Sequence, residues 1–181
     1  MALKETLKSP DLIQEAIELF TRVRNVPYRL GLDGNPNKLF SEGAGHCTRK
    51  HLYLLPRLKQ LSYKVEIGIA LFDWRQLKIP NAIISLLKNP IQKHMFLFAN
   101  NQVVDATWHP GIPGFTSNEW DGVNATPLGV PAIKIIKLNS TILKARALAG
   151  SLKRLITSAD QEPTPFNDAF NFWLEKQQQN S

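Results

Sequence analysis

The chain has 181 residues, of which 43% are hydrophobic and 20% are charged. This composition is typical of a globular domain with a buried core and argues against wholesale disorder. The opening segment, MALKETLKSPDL, lacks the apolar run of a signal peptide, and no segment has the roughly 18 consecutive apolar residues of a membrane span. We therefore expect one domain over residues 1–181, located in the cytoplasm and without a membrane span.

The cysteine count and the net charge bear on the compartment of the protein and on whether it binds nucleic acid. The single cysteine, Cys47, excludes an internal disulfide and suits a reducing compartment. The formal net charge is +7, and the basic residues from Lys134 to Arg154 meet no acidic residue in that segment. Since there is no arginine-rich run, zinc-finger spacing or ribonucleoprotein motif, a solvated basic face is favoured over nucleic acid binding, which stays a third alternative.

The N-terminal part of the chain predicts a helix followed by a long loop. Ser9 is a suitable cap for an amphipathic helix, which should end near Asn25 because Pro27 disfavours helical geometry just before it. Residues 31–45 are rich in Gly and Asn, which indicates a loop. Loops of this length are uncommon in compact domains and are often functional.

The remaining elements complete an α+β pattern. A second helical pattern begins at Cys47, and Pro56 inside it predicts a kink or a break. Alternating apolar residues predict a strand over Val65–Leu71. The later predicted elements are a short helix in 79–89, a hairpin with strands His94–Ala99 and Gln102–Thr107 around Asn100-Asn101, a strand over Ala132–Leu138, and helices over Thr141–Ile156 and Pro165–Lys176.

Cys47 is the candidate nucleophile. A thiol attacks a carbonyl well only as a thiolate, which a helix N-terminus and an adjacent imidazolium both stabilise. Cys47 follows Gly43-Ala44-Gly45 and precedes a helical pattern, so its backbone N–H is also a natural donor to an oxyanion. Taken alone the signal is weak, because a lone cysteine is more often an inert buried residue.

His94 and Asp105 are the candidate base and orienting acid. A two-residue turn at Asn100-Asn101 would place His94 opposite Thr107, with Asp105 as its diagonal neighbour on the same face of the hairpin. The carboxylate could then hold one ring nitrogen of the imidazole and leave the other for the thiol. The alternative is a pair of polar residues at a sheet edge.

These blocks together resemble the core of the transglutaminase-like superfamily. The resemblance rests on Gly45-His46-Cys47-Thr48, on His94 and on Val104-Asp105-Ala106-Thr107-Trp108, in this order between Gly43 and Trp108. It implies a papain-like α+β fold in which the helix carrying the nucleophile packs on an antiparallel sheet. By this resemblance Cys47 would be the nucleophile, His94 the general base and acid, and Asp105 the residue that orients it.

The resemblance implies a cysteine-dependent amide hydrolase or acyl transferase that forms a thioester with a peptide or protein amide, without a cofactor. Crosslinking members of the superfamily typically need calcium, and this chain lacks the acidic cluster that would bind it. We therefore favour hydrolysis, as in a cysteine protease or amidase, over transfer to an amine. The alternative is a catalytically inactive binding domain with the same fold.

Three further residues are candidates for substrate binding. Tyr28 could supply an oxyanion-stabilising hydroxyl, although a structural tyrosine fits equally well. His46 should point away from Cys47 if both lie on the helix; it could line the entrance, although an exposed loop residue is the favoured interpretation. Trp108 could form an apolar wall of a cleft or pack in the core.

A zinc site is a weaker alternative. Cys47 and His51 are four residues apart and could share a helix face, with His94 or His109 completing the ligands. The spacing matches no established zinc pattern, so we expect no bound metal.

Overall fold

The computed structural model describes residues 9–112, 114–138 and 164–179. These residues form helices on both faces of an antiparallel sheet, so the α+β class is confirmed. In chain order the elements are α1 (Pro10–Asn25), α2 (Cys47–Gln60), β1 (Val65–Asp73), α3 (Asn81–Ile84), β2 (Ile91–Ala99), β3 (Gln102–Val104), β4 (Ala132–Leu138) and α4 (Pro165–Gln179). The helix expected over Thr141–Ile156 lies outside the described residues.

The first helix follows its sequence signals. The Leu12 N–H donates to the Ser9 hydroxyl at 3.4 Å, which satisfies one of the free donors at the helix start. The helix ends at Asn25, where Val26 turns to an extended conformation ahead of Pro27. The predicted bounds of this helix are confirmed.

The helix that begins at Cys47 continues through Pro56 to Gln60, so of the two expected effects of Pro56 the break is wrong and the kink stays a prediction. A proline in a helix interior costs a hydrogen bond and crowds the preceding turn. Here Leu54 and Leu58, both fully buried, flank Pro56 and anchor the helix in the core. Tertiary packing on either side outweighs the local cost.

The sheet has the strand order β3-β2-β1-β4, with every neighbouring pair antiparallel. β1 and β2 pair along their full length, from Val65 opposite Ala99 to Asp73 opposite Ile91. Successive side chains point to opposite faces, and both faces of the central strands β1 and β2 are largely covered. Residues such as Ile67 pack with α1 and α2, while residues such as Phe72 pack with α4.

The hairpin between β2 and β3 has the predicted two-residue turn. Asn100 and Asn101 have φ values of 50° and 67°, as a turn of this kind requires, and Ala99 pairs with Gln102 across it. The Asn100 side-chain oxygen also accepts a hydrogen bond from the Lys64 N–H at 2.9 Å. The predicted turn and register are confirmed.

β3 ends at Val104, three residues before the predicted end. The N–H groups of the next three residues donate to side chains instead of to β2: Asp105 to the Thr126 hydroxyl at 2.9 Å, Ala106 to His51 Nε2 at 3.0 Å, and Thr107 to the Asp105 carboxylate at 3.0 Å. The polypeptide therefore leaves the sheet where the candidate site residues begin.

Candidate active site

Cys47 is the first residue of α2, the position at which backbone N–H groups have no partner within the helix. These groups and the helix dipole favour a negative charge. Gly45 lets the chain pack closely against Leu39 just before the helix begins, because a Cβ at this position would lie 2.5 Å from the Leu39 side chain. Cys47 is 5% exposed, so the sulfur is placed at the margin of the core.

The hairpin brings His94 and Asp105 into direct contact. His94 lies on β2, Asp105 follows β3, and His94 Nε2 donates to Asp105 Oδ2 at 2.7 Å. Because Nε2 is engaged in this bond, Nδ1 is the ring nitrogen left for Cys47, and His94 lies close enough to the thiol to lower its pKa. The structure thus brings together all three residues that the sequence analysis singled out as nucleophile, base and orienting acid.

The Asp105 carboxylate is fully buried and accepts further hydrogen bonds from the backbone. The Gly129 N–H donates to Oδ2 at 2.7 Å and the Thr107 N–H donates to Oδ1 at 3.0 Å. The Asp105 backbone is held as well, since Asn118 Nδ2 donates to its carbonyl at 2.9 Å. Donors surround the carboxylate, which favours its ionised form and fixes its orientation toward His94.

The electrostatics of the three residues favour an ion pair. Burial raises the pKa of the Cys47 thiol, but hydrogen bonds and charges from His46 and His94 outweigh it and hold the pKa well below its usual value. Burial lowers the pKa of His94, and the Asp105 carboxylate overcomes this and raises it to about 10. Burial opposes ionisation of Asp105, yet the His94 charge keeps its pKa far below the usual range. All three shifts favour a thiolate, an imidazolium and a carboxylate.

His46 is buried and lies close enough to the Cys47 thiol to lower its pKa, so the expectation that it is exposed and points away from Cys47 is wrong. His46 is the cap residue before the helix, with φ −88° and ψ 176°, so helical spacing does not govern the direction of its side chain. Its Nε2 donates to the Leu32 carbonyl at 3.1 Å, which holds the ring in place. Two imidazoles, those of His46 and His94, are therefore close enough to the thiol to shift its pKa.

His51 connects the start of α2 to the segment after β3. Its Nδ1 donates to the Cys47 carbonyl at 2.8 Å, and its Nε2 accepts from the Ala106 N–H at 3.0 Å. A carbonyl only accepts and an N–H only donates, so the ring is neutral with its proton on Nδ1. Burial lowers the pKa of His51, in agreement with this state. Since both nitrogens are occupied, His51 is not a zinc ligand in this arrangement.

The two aromatic residues predicted to bind substrate, Tyr28 and Trp108, lie in the part of the core that packs between the sheet and α4. The Tyr28 ring packs 4.5 Å from the Trp108 ring and 6.2 Å from the Phe170 ring. Trp108 is 2% exposed, and its Nε1 donates to the Gly129 carbonyl at 2.6 Å. The Gly129 N–H in turn donates to the Asp105 carboxylate, so Trp108 helps to hold the residue that binds this carboxylate. This geometry favours the packing interpretation, and direct substrate contact by either residue stays a prediction.

Arg49 clamps the loop 31–45 against the start of α2. Its side chain is fully buried and donates to the Asp33 carbonyl at 2.9 Å, the Asp33 carboxylate at 2.7 Å, the Glu42 carboxylate at 2.6 Å and the Ala44 carbonyl at 3.2 Å. The loop that leads into Cys47 is therefore tied to the helix that begins at Cys47.

Replacing Arg49 by methionine is expected to lower the free energy of unfolding by about 2–4 kcal/mol, because several charge-assisted hydrogen bonds are lost while part of the packing is kept. Urea denaturation measures the change, and cleavage within residues 31–45 by a nonspecific protease should accelerate. Lys59→Met is the control, since Lys59 is exposed on the same helix. A loss below about 1 kcal/mol for Arg49→Met, with cleavage unchanged, would refute the clamp.

The sequence analysis missed the residues that support the three central ones. They are the buried polar residues Arg49 and Lys50 on α2 and the partners of Asp105 at Asn118, Thr126 and Gly129. One signal was present for α2: the run directly after Cys47 is polar at every position, so one face of the helix start must bury polar groups. The partners of Asp105 carry no local signal, because only the fold brings them near it.

The basic segment is only partly described. Lys134 and Lys137 lie on β4. The Lys137 ammonium group pairs at 2.7 Å with the carboxylate of Glu66 on the neighbouring strand β1. Residues 139–163, which hold the other basic residues of the segment, lie outside the described ranges. The nucleic acid alternative therefore stays a prediction.

Within the described ranges, no helix is long and apolar enough to cross a membrane. In the same part of the chain, no three or more His, Cys, Asp or Glu side chains are grouped so as to hold a metal ion. Comparison with protein-family models, with curated proteins and with solved structures finds no match to this chain.

Proposed function

We propose that this chain is a cysteine-dependent amide hydrolase or acyl transferase with a core of the transglutaminase-like, papain-like type. The observation that carries the proposal is the His94 Nε2–Asp105 Oδ2 hydrogen bond of 2.7 Å beside a thiol at a helix N-terminus. A structural cysteine needs neither an imidazole partner nor a buried carboxylate behind that imidazole. The substrate class is a peptide or protein amide.

In the first half of the reaction, the Cys47 thiolate attacks the amide carbonyl carbon and forms a C–S bond. Negative charge moves to the carbonyl oxygen, where the Cys47 backbone N–H at the helix start is placed to donate. His94 gives its proton to the amide nitrogen, the C–N bond breaks, and the amine leaves. A thioester to Cys47 and a neutral His94 remain, and Asp105 keeps the ring oriented.

In the second half, His94 takes a proton from the incoming water as its oxygen attacks the thioester carbon. The C–S bond then breaks, and the acid product leaves with the thiolate and the imidazolium restored. An amine in place of water gives a new amide by the same steps. Because Asp105 holds the imidazolium rather than accepting its proton, the same histidine serves as acid first and as base second.

The alternative from a different class is a binding domain that keeps the fold without catalysis. The low exposure of Cys47, 5%, favours this alternative, since a substrate carbonyl must reach the sulfur. The two functions differ in one respect that can be measured directly, namely whether Cys47 becomes acylated and is then regenerated.

The experiment is incubation with 4-nitrophenyl acetate, with release of nitrophenolate followed by absorbance and the protein mass followed over time. We expect one acetyl group per chain on Cys47, followed by its loss. Adding glycinamide to the reaction tests the acceptor: acetylglycinamide indicates transfer to an amine, and acetate alone indicates hydrolysis. Cys47→Ala is the matched control for reaction elsewhere on the chain. A wild-type mass and a rate equal to those of Cys47→Ala would leave the binding domain as the answer.

A further inference from the structure

Lys50 is a fully buried cation that the proposed mechanism does not use. It lies on α2, three residues after Cys47, and none of its surface is exposed. Its Nζ donates to the Arg24 carbonyl at 2.9 Å and to the Thr107 carbonyl at 2.8 Å. Lysine is almost never buried to this extent without a partner of opposite charge. Its two direct partners here are neutral carbonyls, so the compensating charge must lie farther away.

The two carbonyls place the ammonium group at the meeting point of three segments. Arg24 lies in the last turn of α1, where free carbonyls and the helix dipole attract a cation. Thr107 lies two residues after Asp105 and also donates its N–H to the Asp105 carboxylate. Lys50 therefore joins α1, α2 and the segment that carries Asp105.

A count of the charged groups near Lys50 shows which charge it compensates. His51 is neutral by its hydrogen bonds, and His109 accepts the Tyr28 N–H on its Nδ1, while burial and the charge of Lys50 lower the pKa of His109 to about 4. Arg24, the other nearby cation, pairs with the Glu119 carboxylate.

The remaining buried anions are the Cys47 thiolate and the Asp105 carboxylate; His94 faces both of them, and the charge of His46 acts on the thiolate as well. In a low-dielectric interior two neighbouring anions need compensating positive charge, and without it one of them is driven to its neutral form. Lys50 supplies further positive charge, since the charges of Asp105 and Cys47 both favour its ammonium form.

We propose that Lys50 is a positioning residue of this site, a buried counter-cation that keeps Cys47 and Asp105 ionised at the same time. The inference rests on the proposed function, because it concerns the same thiolate. Lys50 acts through charge on the thiolate and the carboxylate, and not by contact with substrate. Its effect should therefore appear in the ionisation of Cys47.

The charge environment of Lys50 supports this role. Burial lowers the pKa of Lys50 to about 7, while the charges of Asp105 and Cys47 raise it and the charge of Arg24 lowers it. The ammonium form thus depends on the two anions, as the anions depend on it. Coupling of this kind is reciprocal, so removal of either charge must shift the ionisation of the other group.

The first test is the pH dependence of Cys47 alkylation by iodoacetamide, which reports one residue because the chain has a single cysteine. Lys50→Gln keeps a hydrogen-bond donor and removes the charge. We expect it to raise the apparent pKa of Cys47 by about one unit, which is roughly a tenfold loss of thiolate below the pKa. Lys50→Arg, which keeps the charge, should restore the wild-type profile. Leu58→Met, buried on the same helix, is the control for altered packing.

The outcomes separate this inference from the proposed function. A wild-type profile with an ordinary thiol pKa, unchanged by His94→Ala, overturns the proposed function and the inference with it. A low wild-type thiol pKa that Lys50→Gln leaves unchanged overturns only the role of Lys50. A second measurement needs no Lys50 variant: the pKa of Lys50, followed by the NMR shift of its labelled Cε carbon, should fall by about one unit in Cys47→Ser. An unchanged Lys50 pKa overturns the inference even if the Lys50 variants do not fold.

Discussion

Replacing His94 by alanine is expected to slow acetylation of Cys47 by 4-nitrophenyl acetate by roughly 10²- to 10⁴-fold at neutral pH. The variant loses the imidazolium that stabilises the thiolate and the base that assists breakdown of the thioester. Burial raises the pKa of the thiol, and without His94 less remains to offset it. The apparent pKa of Cys47 should therefore rise toward or above the ordinary value of about 8.5.

Nitrophenolate release measures the acetylation rate, and iodoacetamide alkylation across pH measures the thiol pKa in the same preparations. Gln92→Ala is the control, because Gln92 lies on β2 two residues before His94, on the same face of the strand. If His94→Ala acetylates at the wild-type rate and keeps the wild-type alkylation profile, His94 is not the partner of Cys47. His46, the other imidazole beside the thiol, would then take its place.

Replacing Asp105 by asparagine is expected to lower the acetylation rate by roughly 10²- to 10⁴-fold with little change in shape. The amide cannot hold the His94 ring as an imidazolium, so the pKa of His94, now raised to about 10, should fall to below its ordinary value. The Gly129 and Thr107 N–H groups would also face an amide that donates from one side. Nitrophenolate release measures the rate, and the NMR titration of the His94 ring measures the pKa.

The same substitution should flatten the dependence of stability on pH. The pKa of Asp105 is depressed in the folded state, so its stabilisation is present above the unfolded value of about 3.9 and is lost as pH falls. The pKa of His94 is raised to about 10, so its stabilisation is complete below about 6.5 and is lost as pH rises from there to 10. Urea midpoints across pH should decline at both ends for the wild type and much less for Asp105→Asn. Parallel curves for the two proteins would contradict the buried ion pair.

The hairpin shows how far local pattern reaches in this chain. Two strand-like runs on either side of Asn100-Asn101 were sufficient for the turn and the register, because a two-residue turn leaves one pairing of the strands. From that register the sequence alone predicts that His94 and Asp105 lie close together on one face of the hairpin. The bond of 2.7 Å between them joins residues that are eleven apart in the chain.

The end of β3 marks the point at which local pattern stops being informative. The sequence continues with residues that suit a strand, but Asp105, Ala106 and Thr107 donate their N–H groups to side chains from elsewhere in the fold or from the same segment. His51 is 55 residues away from Ala106 along the chain. No local preference encodes such a partner, and the competition between it and the sheet is decided only when the helix packs.

His46 illustrates a second kind of limit. Its direction depends on whether it is the last residue before α2 or the first residue within it, a difference of one position. This difference of one position reverses the predicted direction of the His46 side chain, because the extended conformation of the cap residue brings the imidazole near the Cys47 thiol. Boundaries of helices are set by the packing of their ends, which here involves the Leu32 carbonyl in the preceding loop.

The roles proposed for Cys47, His94 and Asp105 follow from residue type and from short spacings, since a helix start and a tight hairpin are local structures. The charges that surround them do not. Whether Lys50 is a solvated or a buried cation depends on α1, α2 and the segment after β3 meeting around its ammonium group. Burial is a property of the assembled core. It lowers the pKa of Lys50, and it brings His94 and Asp105 together out of water, where their charges raise the pKa of the one and lower that of the other.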